Sequence, residues 1–206
     1  SGDITLVGPG TVRFGNSTNE TRARGSASTV FNLGSTGARL DTFNGGDTNG
    51  TVTYDLGGLV GSAGTVLAGR ASNNPAILNK DTIFSIGAKG GNYVFSGTIT
   101  NGSDPGSAAV VSIVKVGGGT LTLNGVNAYT GSTTVSNGAL GGSGSIASPL
   151  TVTSGGTIAP GSSVGTFTVS NTVALSGTTL MELNPAGSDV LRVTGALTSG
   201  GALIVT

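Results

Sequence analysis

Short runs of alternating apolar and hydroxyl residues, each closed by Gly, Asn or Ser, recur from end to end of this chain. Ile4-Thr5-Leu6-Val7, Thr51-Val52-Thr53-Tyr54, Tyr93-Val94-Phe95, Thr120-Leu121-Thr122-Leu123 and Thr133-Thr134-Val135 are examples, as are Leu150-Thr151-Val152-Thr153, Phe167-Thr168-Val169, Val190-Leu191-Arg192-Val193 and Ala202-Leu203-Ile204-Val205. A period of two sends neighbouring side chains to opposite faces, so each run predicts a short β-strand with one buried side and one hydroxyl side. Runs in the second half follow one another too closely for crossover helices of a dozen residues or more. The fold class is therefore all-β. Two architectures fit it: a right-handed parallel β-helix (β-solenoid), whose strands stack rung on rung around a thin interior, and an antiparallel β-sandwich joined by tight hairpins. Six Phe, three Tyr and no Trp are few for a sandwich core and favour the solenoid.

The spacers between runs divide the chain unevenly. A single β-solenoid domain over 1–206 is expected, with less regular rungs and loops in 1–80, where polar spacers such as Asn16 to Arg24 and Asp41 to Gly50 are long. A tighter repeat region covers 81–206. The spacing of runs varies, so no fixed repeat period emerges. Pro149 and Pro160 stand at the ends of runs, where a missing N–H does no harm.

Composition narrows the class further. Of 206 residues 39 are Gly and only 9% are charged, against about a quarter in an average soluble domain, so the surface is polar through hydroxyls and amides. Disordered chains combine low hydrophobicity with high net charge, whereas this one has a mean hydropathy of +0.23 and nine cations against nine anions. Without Cys there is neither a disulfide framework nor a thiolate metal site. A net charge of zero with scattered Lys and Arg gives no field for a phosphate backbone, so nucleic acid is not an expected partner. Apolar stretches such as Ala108 to Val111 are far short of the roughly twenty residues of a membrane-spanning helix. The opening Ser1-Gly2-Asp3-Ile4 has no basic n-region or apolar h-region, which reads as mature protein.

From Tyr93 to Leu140, and most densely from Lys115 to Leu140, the chain resembles the autotransporter-associated β-strand repeat of bacterial passenger domains. The matching pieces are Lys115, the turn Gly117 to Gly119, the strand Thr120 to Leu123, the turn Asn127 to Gly131, the strand Thr133 to Val135, and Gly138 to Leu140. Gly155 to Val205 resembles the passenger segment that follows such repeats. The resemblance implies a right-handed parallel β-helix located extracellularly or on the cell surface and secreted from a bacterium. The C-terminal membrane barrel of an autotransporter is not in this sequence, which leaves a released passenger, a fragment, or another export route. Read on its own chemistry, Tyr129-Thr130-Gly131 places a large ring beside a residue free to take positive φ, the expected recipe for turning a corner over a neighbouring rung.

Candidate chemistry is sparse. Gly161-Ser162-Ser163-Val164-Gly165 has the G-x-S-x-G spacing of a nucleophile elbow, but the chain has no His to serve as base. Asp41, Asn44, Asp47 and Asn49 could offer oxygens to Ca²⁺, without the spacing of an EF-hand loop. Gly141-Gly142-Ser143-Gly144-Ser145 has the glycines of a Ca²⁺-binding solenoid repeat but lacks its Asp. Asp55, Asp81, Asp104, Glu182 and Asp189 are candidates for converging carboxylates of a carbohydrate enzyme. Arg22 and Arg24 form a small basic spot, and Asn16, Asn19, Asn49 and Asn101 fit the N-x-S/T glycosylation pattern. Plain turns also favour Asp, Asn and Gly. The reading is no enzyme, no cofactor and no metal.

The remaining function is mechanical. A solenoid exposes unpaired strand edges only at its two ends, where polar caps normally cover them. Here the chain opens almost at once with an apolar run and closes inside another, so Ile4, Leu6, Leu203 and Val205 are expected to be self-association edges. The expected protein is an extracellular structural one that assembles head to tail with itself into a filament or layer. The alternatives are an adhesin or passenger module binding surface glycans or host molecules, and, third, a carbohydrate-active β-helix enzyme.

Overall fold

The structure, a computed structural model, describes residues 2–14, 24–42, 50–70, 81–102 and 109–206. Every regular element among these residues is a strand, and none of them forms a helix long and apolar enough to cross a membrane. The strands stack in three faces, visited by the chain in the same order on each rung. The first face takes the leading parts of β3 (Gly25–Asn32) and β5 (Val52–Val60), then β7 (Thr82–Ile86), β10 (Val111–Lys115), β13 (Thr133–Val135), β16 (Leu150–Val152), β19 (Val173–Leu175) and β24 (Leu197–Thr198).

The second face starts at β1 (Ile4–Thr5) and takes the trailing parts of β3 and β5. It continues through β8 (Tyr93–Phe95), β11 (Thr120–Leu123), β14 (Gly138–Gly142), β17 (Gly156–Pro160), β20 (Thr178–Met181) and β25 (Ala202–Val205). A parallel bridge from Gly61 to Phe95 joins its two sections. The third face runs through β2 (Gly10–Phe14), β4 (Ala38–Thr42), β6 (Val66–Arg70), β9 (Thr98–Thr100), β12 (Val126–Asn127), β15 (Ser145–Ile146), β18 (Thr166–Val169) and β23 (Val190–Val193). Here the Ala128 N–H donates to the Ile99 carbonyl and carries the face across from β9 to β12.

All ladders between described strands are parallel except in the small hairpin of β21 (Leu183–Asn184) and β22 (Gly187–Ser188), which projects between β20 and β23. One isolated antiparallel bridge joins Gly142 to Gly161. The chain is a parallel β-solenoid, and the antiparallel sandwich is excluded.

In-register stacking turns the two-residue period of each run into continuous inward rows. Tyr93, Leu121, Leu140 and Ile158 are successive register partners on the second face, and all four are buried. Rungs differ in circumference. Bonds between neighbouring rungs span 27 residues at Thr36–Ala63 and 29 at Val110–Asp81, but 20 at Ser132–Ser112, 18 at Thr153–Val135 and 24 at Asn171–Ala147. A wider rung encloses more space and needs bulkier filling to reach interior packing density. The wide early rungs accordingly hold Phe14, Phe31, Tyr54 and Phe84, with rings in contact at centroid distances of 5.1 Å (Phe14–Phe31), 5.8 Å (Phe14–Tyr54) and 6.1 Å (Tyr54–Phe84). The narrow later rungs close mainly on Val, Leu and Ile.

Tight corners demand glycine where rungs meet backbone to backbone. A Cβ on Gly125 would run into the Gly97 carbonyl one rung away, and Gly117, at φ 71°, would drive one into the Gly87 carbonyl. The early rungs also carry shifts of register, between Ser26 and Val30 on β3 and between Asp41 and Thr42 on β4.

Removing one link from an inward row has a defined cost. Leu140→Ala, at a fully buried position, is expected to cost about 2–5 kcal/mol in chemical denaturation. Thr157→Ala, on the outward side of the adjacent strand, is expected to stay within about 0.5 kcal/mol.

Candidate functional site

Among the described residues the polar side chains that the fold buries lie mostly at corners, where they close gaps in the backbone hydrogen bonding. Lys115 stands in an inward row of the first face, between register partners Ile86 and Val135, and is fully buried. Its Nζ donates to the carbonyls of Val116 at 2.7 Å, Gly117 at 2.8 Å and Asn137 at 3.0 Å. An ammonium has three protons, and this one places each on a carbonyl of its own corner or of the next rung. Burial lowers its pKa from 10.5 to about 8; the carbonyl bonds favour the charged form. A Cβ on Gly138 would come within 2.7 Å of Nζ.

The next corner is built on Asn127, Tyr129 and Asn101. Buried Asn127 accepts from the Ile99 N–H at 2.9 Å and donates to the carbonyls of Gly125 and Ser145, each at 3.0 Å. One side chain thereby ties three successive rungs. Tyr129 is fully buried. Its hydroxyl shares a 2.6 Å hydrogen bond with Thr133, which shares another of 2.6 Å with Ser148. Burial pushes the Tyr129 pKa up to about 12, against the pull of those hydroxyls.

Asn101 Oδ1 accepts from the N–H groups of Val111 and Thr130, and its Nδ2 donates to Thr130 Oγ1. Its amide is thus engaged within the fold. Asn16, Asn19 and Asn49, the other positions of that pattern, lie outside the described residues. Gly131 departs from expectation: it is not among the glycines of positive φ. Its need is for close approach, since a Cβ would meet the Val111 carbonyl and the Ser112 hydroxyl.

The enzyme-like patterns dissolve into structure. Gly161 to Gly165 connects β17 to β18, so a strand and not a helix follows the serines, and the Gly165 N–H donates to Asp189 Oδ1 at 2.9 Å. Asp189 Oδ2 accepts from the Glu182 N–H at 2.7 Å, pinning the base of the β21–β22 hairpin. Asp81 accepts from the Val110 N–H at 2.9 Å. Asp55 lies on β5 with its side chain exposed, several rungs from Glu182 and Asp189, and Asp104 lies outside the described residues. The fold sets Asp55 and Asp81 on early rungs and brings Glu182 and Asp189 together at the base of one hairpin several rungs away.

Asp41 of the Ca²⁺ candidate is buried beside two guanidiniums, with Arg39 Nε at 2.5 Å from Oδ1 and Arg13 Nη2 at 3.6 Å from Oδ2. Asp41 Oδ1 and Arg39 Nη2 are buried without a hydrogen-bond partner of good geometry. Burial raises the Asp41 pKa, and the two arginines oppose that rise. Asn44, Asp47 and Asn49 are outside the described residues, as is Arg22; the Arg24 carbonyl accepts from the Asp55 N–H. No group of three His, Cys, Asp or Glu able to hold a metal occurs among the described residues. The Gly141 to Ser145 stretch is the corner between β14 and β15.

Ile4 and Leu6 lie at one end of the described stack, and Leu203 and Val205 at the other. Ile4 is 44% exposed and Leu6 half-buried at one end; Leu203 is 68% and Val205 59% exposed at the other. Ile4 and Leu6, with Val12, Phe14, Phe31 and Leu40, line an apolar cavity of about 30 Å³ open at the first end.

Two outcomes test the corner chemistry. Lys115 has a folded pKa below its unfolded value, so stability is flat below about pH 8 and rises with pH between about 8 and 10.5. Denaturation midpoints across that window should show the rise in the parent chain and lose it in Lys115→Met. Asn127→Leu strands an N–H and two carbonyls and is expected to cost about 1–3 kcal/mol in the same assay.

No curated protein matches the chain significantly. Residues 113–141 match the family model of the passenger-associated-transport-repeat, a repeat that implies a bacterial secreted or surface-exposed protein and is not a catalytic family. The match begins inside β10 and runs through the Lys115 and Asn127 corners into β14, so the likeness to that repeat covers the stretch that holds both buried corners.

Proposed function

We propose that this chain is a non-catalytic structural unit of a bacterial surface, a β-solenoid that associates end to end with its own copies into a filament or layer. The observation that carries the reading is the exposure of inward-row apolar residues at both ends, Ile4 at one and Leu203 and Val205 at the other. An edge strand with free N–H and C=O groups beside an open apolar interior is a template for another strand. All the long faces are parallel, so contact between opposite ends of two copies keeps one strand direction and one axis. A head-to-tail contact of this kind repeats without closing. With nine cations and nine anions among 206 residues, net charge does not hold copies apart.

Purified protein should form filaments by negative-stain electron microscopy and show mass growing with concentration in sedimentation velocity. Leu203→Asp combined with Val205→Asp puts two carboxylates on the terminal edge and should reduce assembly by at least tenfold with the melting profile of the unassembled unit preserved. Persistent monodisperse rods from the parent chain at high concentration would overturn the reading.

A further inference from the structure

We infer that the Asn137–Gly138 peptide is a site of spontaneous covalent modification, at which the Lys115 ammonium promotes attack of the Gly138 nitrogen on the Asn137 side-chain amide and the asparagine ages to aspartate and isoaspartate. The chain has five Asn-Gly pairs, beginning at Asn44, Asn49, Asn101, Asn124 and Asn137. In such a pair the glycine has no side chain to shield its nitrogen, so the neighbouring carboxamide can reach it. Asn44 and Asn49 lie outside the described residues. The fold treats the other three differently. Asn101 is held at both ends of its amide, by the N–H groups of Val111 and Thr130 and by Thr130 Oγ1. Asn124 Oδ1 accepts from the Ser143 N–H at 3.1 Å. Asn137 is exposed, and no hydrogen bond among the described residues holds its carboxamide. It stands between β13 and β14, and Gly138 after it has φ 67°.

The Asn137 carbonyl sets this pair apart from the others. Lys115 Nζ donates to it at 3.0 Å, and Nζ lies so near Gly138 that a Cβ there would come within 2.7 Å of it. Attack requires the Gly138 nitrogen without its proton. The anion that forms is shared between that nitrogen and the Asn137 oxygen, the atom the ammonium already contacts, so a donor is aimed at the place where charge develops. Lys115 is fully buried, and its charge is screened less there than in water. The step balances without a cofactor. Gly138 N bonds to Asn137 Cγ, the Cγ–Nδ2 bond breaks, and Nδ2 leaves as ammonia with the proton that Gly138 gave up. Water then opens the cyclic imide at either carbonyl, giving aspartate or isoaspartate. Either product puts a carboxylate into the stretch 109–181, whose sequence holds no Asp, Glu or Arg and a single Lys, the buried Lys115. Isoaspartate also adds a main-chain carbon at a crowded corner, where a Cβ on Gly138 would already meet the Gly117 and Gly119 carbonyls. The modification marks the age of the molecule and loosens the rung on which it sits.

The test is ageing of the intact folded chain at physiological temperature and neutral pH, followed by digestion and mass spectrometry, with isoaspartate counted by enzymatic methylation. Asn137 is expected to convert at least tenfold faster than Asn124, whereas in urea the two sites convert at similar rates. Equal rates in the folded chain, or a faster Asn124, overturn the inference. Lys115→Met keeps an unbranched side chain in the row and removes the ammonium. The Asn137-to-Asn124 rate ratio should then fall several-fold, and an unchanged ratio overturns the role of Lys115. The pH profile of the parent chain reads the same role without a substitution. Around Nζ stand Ile86 and Val135 in its row and Gly87, Val116, Gly117, Asn137 and Gly138 at its corner, none of them ionisable. The proton that changes there is that of Lys115 itself, near pH 8. The rate ratio should fall several-fold as pH rises through that value; a constant ratio overturns the inference.

Discussion

Each strand in a parallel stack has two backbone edges, and only the rung above and the rung below can cover them. That constraint governs this protein. It forces rungs of different length to keep one register on three faces, and it brings corner backbones so close that Gly125 tolerates no Cβ beside the Gly97 carbonyl. It also concentrates buried polar chemistry at corners, where the ladder breaks and carbonyls or N–H groups need other partners.

Asn127 and Lys115 meet that need in different ways. Asn127 offers an acceptor and two donor protons on one short arm, and it faces both an N–H and two carbonyls from successive rungs. Lys115 offers donors only and faces only carbonyls. A buried ammonium without a carboxylate is costly, and here three carbonyl dipoles stand in for the counter-charge. Asp41 has two guanidiniums at hand, yet burial raises its pKa against their opposing pull. In both residues burial disfavours the charged form and the surrounding polar groups favour it.

The same constraint explains the ends. Within the stack every inward apolar row is continued by a neighbour, and at the terminal strands it stops. Ile4, Leu203 and Val205 are as apolar as Leu121 or Ile158 but are exposed on the terminal strands of the described stack. Whether an apolar strand residue belongs to a core or to a contact surface is therefore a matter of position along the axis and not of residue type.

Much of the fold was legible in the chain. The alternation in Thr120–Leu123, Thr133–Val135 and Leu150–Thr153 predicts strands because a pleated backbone sends successive side chains to opposite sides, and β11, β13 and β16 lie at those positions. The scarcity of aromatic residues and of long spacers pointed to stacked rungs, and the motif from Lys115 to Leu140 marked the repeat. The corners were not legible. Spacing shows that Lys115 precedes a turn but not which carbonyls its ammonium reaches, and the value of Gly131 lies in the nearness of Val111 on a neighbouring rung and not in its own φ. The sequence by itself determined the strands and their two-sided character, because these follow from local periodicity, and it favoured stacked rungs over a sandwich through its few aromatic residues. Only the tertiary structure decided that the ladders are parallel and which partners Asn101, Lys115 and Asn127 meet, because these depend on how many residues each rung spends before the chain returns to the same face.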